Sequence, residues 1–154
     1  MIQLTQGFVA MVDDEDFEQL NAFNWCAHKS YRKWYAMRGT SSPQFQIKMH
    51  QQLLPGASRI DHKDGNGLNN QKNNLRAASH GDNIANAPKK RGKYGSRYKG
   101  VYRQDGAWRA RLRAPARGED RSLGLFSSEK AAALAWDAAA RKVYGEFACT
   151  NFPL

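Results

Sequence analysis

Ile60-Asp61-His62-Lys63-Asp64-Gly65-Asn66-Gly67-Leu68-Asn69-Asn70-Gln71-Lys72-Asn73-Asn74-Leu75-Arg76 is the stretch on which the reading of the first half of the chain turns. An Asp-His pair closes an expected strand, a loop of Gly and Asn follows, and Asn74-Leu75-Arg76 leads toward an expected helix. Gly and Asn tolerate left-handed backbone, and Asn side chains tie a loop to its own main chain. So polar a loop is poorly suited to a core. A carboxylate beside an imidazole at its edge suits a metal site with a base next to it. The plainer alternative is a surface hairpin carrying an ordinary polar pair.

Asp61-His62, Asp64-Gly65, Leu68-Asn69-Asn70 and Asn74-Leu75-Arg76, in this order, resemble the HNH nuclease motif of phage and homing endonucleases. The resemblance implies a two-stranded antiparallel ribbon and a helix gripping one divalent metal (ββα-metal). By position, Asp61 is then the first metal ligand, His62 the general base, and Asn70 the residue that braces the loop and orients His62. The last motif position falls on the following helix at Asn83, with His80 and Asn86 as neighbouring alternatives. Met49-His50 resembles the Met-His pair that commonly precedes Asp-His in that family. His50 is therefore either beside the metal or packed in the core.

Phosphodiester cleavage needs charge neutralised on the phosphate and a water deprotonated in line. Asp61 and the amide oxygen of Asn83 are hard oxygen ligands that suit Mg²⁺, or another divalent metal such as Mn²⁺. An imidazole with an ordinary pKa of about 6.5 can be neutral near pH 7 and accept the water proton. Neighbours on a regular strand point to opposite sides. Joint action of Asp61 and His62 is thus an implication of the resemblance, requiring a distorted strand end.

Upstream, Ile2 to Val12 alternates and bends at Gly7, as one or two short strands do. Asp13 to Leu20 has the acidic start that a helix dipole favours, with Phe17 and Leu20 able to face inward together. Trp25 to His28 and Trp34 to Arg38 read as a hairpin with a basic turn, and Gln44 to Met49 as a further strand. His50 to Leu54 reads as a short helix before Pro55-Gly56.

Downstream, Ala87 to Arg97 combines Pro, Gly and five basic residues without apolar periodicity and reads as a basic linker. Three strand candidates follow, Tyr98 to Gln104, Trp108 to Arg113 and Arg121 to Phe126, with a turn at Asp105-Gly106. In Trp108-Arg109-Ala110-Arg111-Leu112-Arg113, the apolar residues take one face and three arginines the other. Such a ribbon fits a DNA major groove, where Arg suits guanine edges and phosphates. A helix from a Ser cap at 127 or 128 to about Tyr144 would stop at Gly145, with Ala132, Ala135, Trp136, Ala139 and Val143 as its apolar face.

Residues 98–153 resemble the APETALA-type, ethylene-response-factor-like DNA-binding domain. The residues that carry the match are Tyr98-Lys99-Gly100-Val101, Trp108, Leu123-Gly124-Leu125-Phe126, Ala135-Trp136-Asp137, Ala139-Ala140, Gly145 and Asn151-Phe152-Pro153. The resemblance implies a three-stranded sheet in the major groove backed by a helix. By position it puts Lys99, Tyr102, Gln104, Arg111 and Arg113 on the DNA side, with Arg109 added by strand alternation. Tyr102, Gln104, Asp120 and Ser122 stand where the family has arginines, so the family's target sequence does not transfer.

Composition agrees with this division. Residues 1–86 hold nine Lys/Arg against eight Asp/Glu, whereas residues 87–154 hold fifteen against six, out of a net charge of +10. That asymmetry points to a polyanion read by the C-terminal half. Cys26 and Cys149 stand far apart without a C-x-x-C partner, which disfavours a zinc knuckle or a disulfide framework. No apolar run reaches the ~18 residues of a membrane span, and no signal peptide is apparent.

The expected fold class is α+β, with three parts. A β-rich N-terminal region with a ββα-metal HNH module fills 1–86, a basic linker 87–97, and a three-stranded antiparallel sheet on one helix 98–154. The expected function is metal-dependent endonuclease action on double-stranded DNA, by a cytoplasmic monomer of bacterial or phage-infected cells. The alternatives are a DNA-binding regulator with a vestigial nuclease half, and an RNA-binding or RNA-processing protein.

Overall fold

Short apolar runs broken by turn residues give the first half of the chain several small antiparallel ribbons. The computed structural model describes residues 1–40, 45–90, 95–114 and 118–153. These divide into two compact units, Met1–Ser79 and His80–Leu154.

In the first unit, β1 (Ile2–Gln3) pairs with β2 (Val9–Ala10), and α1 (Asp14–Asn21) follows. A three-stranded antiparallel sheet comprises β3 (Cys26–Ser30), β4 (Lys33–Gly39) and β5 (Gln46–Lys48), in that order. Tyr31, at φ 56°, makes the tight β3–β4 turn. The expected strand start at Gln44 lies outside the described residues. After α2 (Met49–Leu53), the decisive stretch forms a second ribbon, β6 (Ile60–His62) against β7 (Leu75–Ala77). The core gathers Ile2, Leu4, Leu20, Trp25, Ala36 and Met49, all nearly inaccessible to solvent. Gly67 is forced by packing: a Cβ there would lie 2.4 Å from the Trp34 carbonyl oxygen and 2.6 Å from the Tyr35 ring.

The second unit begins with α3 (His80–Asn86). The boundary expected at 86/87 thus falls at Ser79/His80. Its cause is hydrogen bonding: the Ala85 carbonyl accepts from Cys149 N at 3.2 Å and from Lys99 Nζ at 2.7 Å. Of the expected linker, residues 91–94 lie outside the described residues. The sheet consists of β8 (Val101–Gln104), β9 (Ala107–Ala114) and β10 (Glu119–Phe126), antiparallel with β9 central. A register shift between Ser122 and Gly124 marks a bulge in β10.

Helix α4 (Glu129–Tyr144) starts at Ser128, whose side chain accepts from Ala131 N, and ends at Gly145 with positive φ. Its buried face is Ala132, Ala133, Trp136, Asp137 and Ala140. Relative to the expected face, Ala135, Ala139 and Val143 are only half-buried, and Asp137 lies inside. Alanines let the helix sit close against Val101, Ala110 and Leu112. Gly100 is required by the same closeness, because a Cβ there would lie 1.9 Å from Trp136 Nε1.

Candidate functional site

Two groups of side chains stand out, one in each unit. In the first, the Asn/Gly loop is cross-tied as its composition suggests. Asp64 accepts from Asn66 N at 2.8 Å, from Asn69 Nδ2 at 2.8 Å and from Asn74 Nδ2 at 3.0 Å, while Asn74 Oδ1 accepts from Asp64 N at 3.1 Å. Burial opposes ionisation of Asp64, but these hydrogen bonds outweigh it and pull its pKa below the ordinary value. The acidic start of α1 has a structural role as well: Asp13 accepts from Lys72 N at 2.8 Å and Gln71 Nε2 at 3.3 Å. Backbone bonds from Met11 N to Leu68 O and from Asn70 N to Met11 O complete the anchoring.

The loop so held buries Asp61, His62, Asn70 and His50, which are 4%, 4%, 0% and 7% exposed. His62 Nε2 lies 3.5 Å from Asn70 Oδ1, at the outer limit of a hydrogen bond. Burial lowers the His62 pKa; Asn70, Asp64 and Asp61 oppose that shift, and Lys33 adds to it. The His50 ring packs edge-on against His62, 5.0 Å between centroids, with Tyr35 5.7 Å from His50 and 6.0 Å from His62. Burial, His62 and Lys48 drive the His50 pKa down to about 3. Burial and then Asp61 raise that of Tyr35. His50 Nδ1 and Asn70 Nδ2 are buried without a hydrogen-bond partner.

Asp61 is the point at which the arrangement departs from the expected metal site. Register sets Arg76 directly across from it, and Asp61 Oδ2 accepts from Arg76 Nη2 at 2.7 Å and Nε at 3.0 Å. Both side chains are at least nine-tenths buried. Asn83 and its alternatives His80 and Asn86 belong to α3, hence to the other unit. Among the described residues, no group of three or more His, Cys, Asp and Glu side chains is gathered to hold a metal ion. The expected Asp61–Asn83 pair is therefore divided between the two units and is not a donor set within either.

In the second unit, β9 places its side chains as alternation predicts. Ala110 and Leu112 are fully buried, Arg111 and Arg113 are exposed, and Arg109 is half-buried. Tyr102 stands opposite Arg109 on β8. Arg109 Nη1 donates to Gln104 Oε1 at 2.6 Å and its Nε to Ser122 Oγ at 3.2 Å. Lys99 alone among the expected DNA-side residues turns inward. Its ammonium donates to the carbonyls of Ala85 at 2.7 Å and Ala87 at 2.6 Å and lies 5.4 Å from the Trp136 ring centre. Burial lowers its pKa.

Asp120 is a residue of this face to which the sequence pattern assigns no role. It faces Arg113 across the β9–β10 pair, and both its oxygens receive Arg111, from Nε at 3.0 Å and Nη2 at 3.1 Å. Arg113 Nε lies 3.8 Å from the same carboxylate. The cross-strand register is the signal that could have found it.

No protein-family model matches the chain. It is 49% identical over 57 residues to Dehydration-responsive element-binding protein 2D of Arabidopsis thaliana, a match covering 36% of this chain and 28% of that protein. It is 47% identical over 58 residues to Putative dehydration-responsive element-binding protein 2H of the same plant, covering 37% of each. With AP2-like ethylene-responsive transcription factor PLT2, also of that plant, it shares 48% identity over 61 residues, covering 38% of this chain and 11% of that protein. The chain thus spans well under half the length of these relatives, and the likeness lies in a segment the size of the sheet and helix. Over about 38% of its length, in its C-terminal three-stranded sheet and helix, the chain carries an AP2/ERF-type domain.

Proposed function

We propose that the chain binds double-stranded DNA through the open face of the β8–β9–β10 sheet. The observation that carries this reading is the β9 arginine row, standing on the side opposite the buried Ala110 and Leu112. Arg111 and Arg113 supply charge for phosphates and guanine edges, while Arg109, held by Gln104 and Ser122, presents a fixed donor group. Two of these plant relatives are named as element-binding proteins, and a net basic C-terminal half suits the same ligand class. Lys99 contributes by fastening α3 to the sheet. The test is competition of duplex DNA, single-stranded DNA and RNA for the full chain. Preference for duplex, weakened at least tenfold by Arg111→Ala with Arg113→Ala, is the expected result; equal or tighter RNA binding would transfer the reading to RNA.

A second reading, hydrolysis of the bound DNA by the β6–β7 ribbon, rests on His62. Burial keeps the imidazole neutral, as a general base must start, though a weaker base than a free one, and Asn70 lies within reach to orient it. In this reading a divalent metal such as Mg²⁺ or Mn²⁺ would supply charge neutralisation at the phosphate, and Asp61 is the carboxylate that the ribbon itself would offer it. Against it stands the commitment of Asp61 to Arg76, which favours a DNA-binding regulator whose nuclease half is vestigial. Supercoiled plasmid incubated with Mg²⁺, with EDTA, and with His62→Ala protein separates the two. Nicking lost in both controls establishes hydrolysis. Intact plasmid with retained binding establishes the regulator.

A further inference from the structure

The segment ahead of the sheet contributes to a cavity of about 440 Å³, lined by Lys89 and Gly95 together with Gly100, Tyr102, Arg111 and Arg113. Lys89 is half-buried, whereas the next residue, Lys90, is exposed. Burial pushes the Lys89 pKa down, and the charge of Glu129 offsets only part of that. Three cationic side chains thus converge on one concavity, and its lining among the described residues contains no acidic side chain. Convergent like charges raise each other's energy unless an anion lies between them. Asp120 compensates Arg111 and Arg113 from the strand side, but it occupies only Nε and one Nη2 hydrogen of Arg111. A guanidinium has five N–H donors, and beyond the two taken by Asp120 the Tyr102 side chain bonds Arg111 as well, which ties Tyr102 to the same cluster. The volume lies in the range of sites that hold a nucleotide-sized ligand.

We propose that this cavity seats a backbone phosphodiester of duplex DNA, with Lys89 adding a contact from outside the sheet. The inference rests on the duplex-binding reading and extends it to a residue that neither alternation nor the sheet itself would select. Tyr102, beside the cations, offers a hydroxyl and a flat apolar wall for the sugar. Because the contact is to phosphate, it adds affinity without reading sequence.

The experiment is fluorescence anisotropy of the full chain with two duplexes of unrelated sequence over a range of salt. Lys89→Ala is expected to weaken both equally and to reduce the slope of log K against log salt by about 0.9, the share of one phosphate contact. Lys89→Arg is expected to restore most of that. Lys90→Ala removes the same charge one residue away and is expected to change the slope by less than half as much. Equal effects of the two alanine variants, or an unchanged slope in Lys89→Ala, overturn the proposal. A wild-type chain that binds no duplex overturns the duplex reading instead, and inorganic phosphate then decides the cavity alone. Saturable shifts of the Gly95 and Gly100 amide resonances, abolished by Lys89→Ala, support an anion seat; their absence refutes it.

Discussion

Asp137→Ala tests whether α4 and the β8–β9–β10 sheet are coupled through residues 151 and 152. Asp137 is wholly buried on α4. Its Oδ1 accepts from Asn151 N at 2.8 Å and Asn151 Nδ2 at 2.9 Å, and its Oδ2 from Phe152 N at 2.9 Å. Asn151 then closes on the residue before β8: its Oδ1 accepts from Lys99 N at 2.6 Å, and its Nδ2 donates to Lys99 O at 3.2 Å. Alanine at 137 removes the acceptor and strands two main-chain N–H groups and one amide hydrogen. Hydrogen bonds to a charged group contribute about 1.5–3 kcal/mol each, and a stranded buried donor costs about 1–3 kcal/mol. Water reaching part of the opened site offsets some of this, which leaves a loss of about 3–4 kcal/mol. At about 0.05–0.15 kcal/mol per residue, a unit of this size holds only about 4–11 kcal/mol in all. Urea unfolding measures the loss, and hydrogen exchange at the amides of Asn151 and Phe152 assigns it to this unit. A cycle with Asn151→Ala should show a coupling of about 1–3 kcal/mol. Stability within about 0.5 kcal/mol of wild type, with those amides still protected, would refute the reasoning.

Arg76→Ala removes the guanidinium from the buried Asp61 carboxylate and should destabilise the first unit by about 3–5 kcal/mol, read from its urea midpoint; Arg76→Ala with Asp61→Ala should recover part of that loss. His50, with its pKa driven down to about 3, resists protonation that the unfolded chain accepts below its ordinary value of 6.5. Stability of the first unit is therefore full above about pH 6.5 and declines as pH falls toward about 3; His50→Phe should flatten that decline in acid unfolding followed by circular dichroism, and a flat wild-type profile counts against the burial. Asp120→Asn frees Arg111 and Arg113 from their shared carboxylate, and affinity for duplex of arbitrary sequence should rise, with a salt slope steeper by about 0.9 for each further phosphate that the arginines neutralise. An unchanged salt slope would mean that the ion pairs persist in the complex.

The second unit was readable where its signals are local. Period-two alternation in β9 fixed which side of the sheet carries arginine, and the Ser pair at 127 and 128 with Gly145 bracketed α4, whose cap is Ser128. Two features escaped for one physical reason, that contacts distant in sequence determine them. A charged residue within a helix reads as solvent-facing, yet Asp137 is buried because the returning chain end brings three donors to it. The resemblance puts Lys99 on the DNA side, yet the carbonyls of Ala85 and Ala87 claim its ammonium. In the first unit the expected two-stranded ribbon is present as β6–β7, and His62 Nε2 lies 3.5 Å from Asn70 Oδ1. The motif pattern did not reveal the partner of Asp61. Arg76 belongs to the same Asn-Leu-Arg signature, and only pairing of the two strands in register shows that it stands opposite the carboxylate.

That placement of acid against base recurs on the β8–β9–β10 sheet, and under the duplex-binding proposal it bears on how the sheet would select a sequence. A face of bare arginines would hold any duplex, because phosphate attraction carries no sequence information. Here Asp120 takes up Arg111 and approaches Arg113, while Gln104 and Ser122 fix Arg109. Each guanidinium is thereby oriented before binding, which lowers the side-chain entropy lost in the complex. The carboxylate also sets a condition of its own: near a phosphate it repels, whereas near a cytosine amino group it accepts a hydrogen bond. A guanine for Arg111 with a cytosine in reach of Asp120 satisfies both partners of the pair, and most other steps leave one of them unpaired. Selection among sequences from the wild-type and Asp120→Asn proteins should therefore differ chiefly at one C·G step. Identical preferences would show that the carboxylate has no part in recognition.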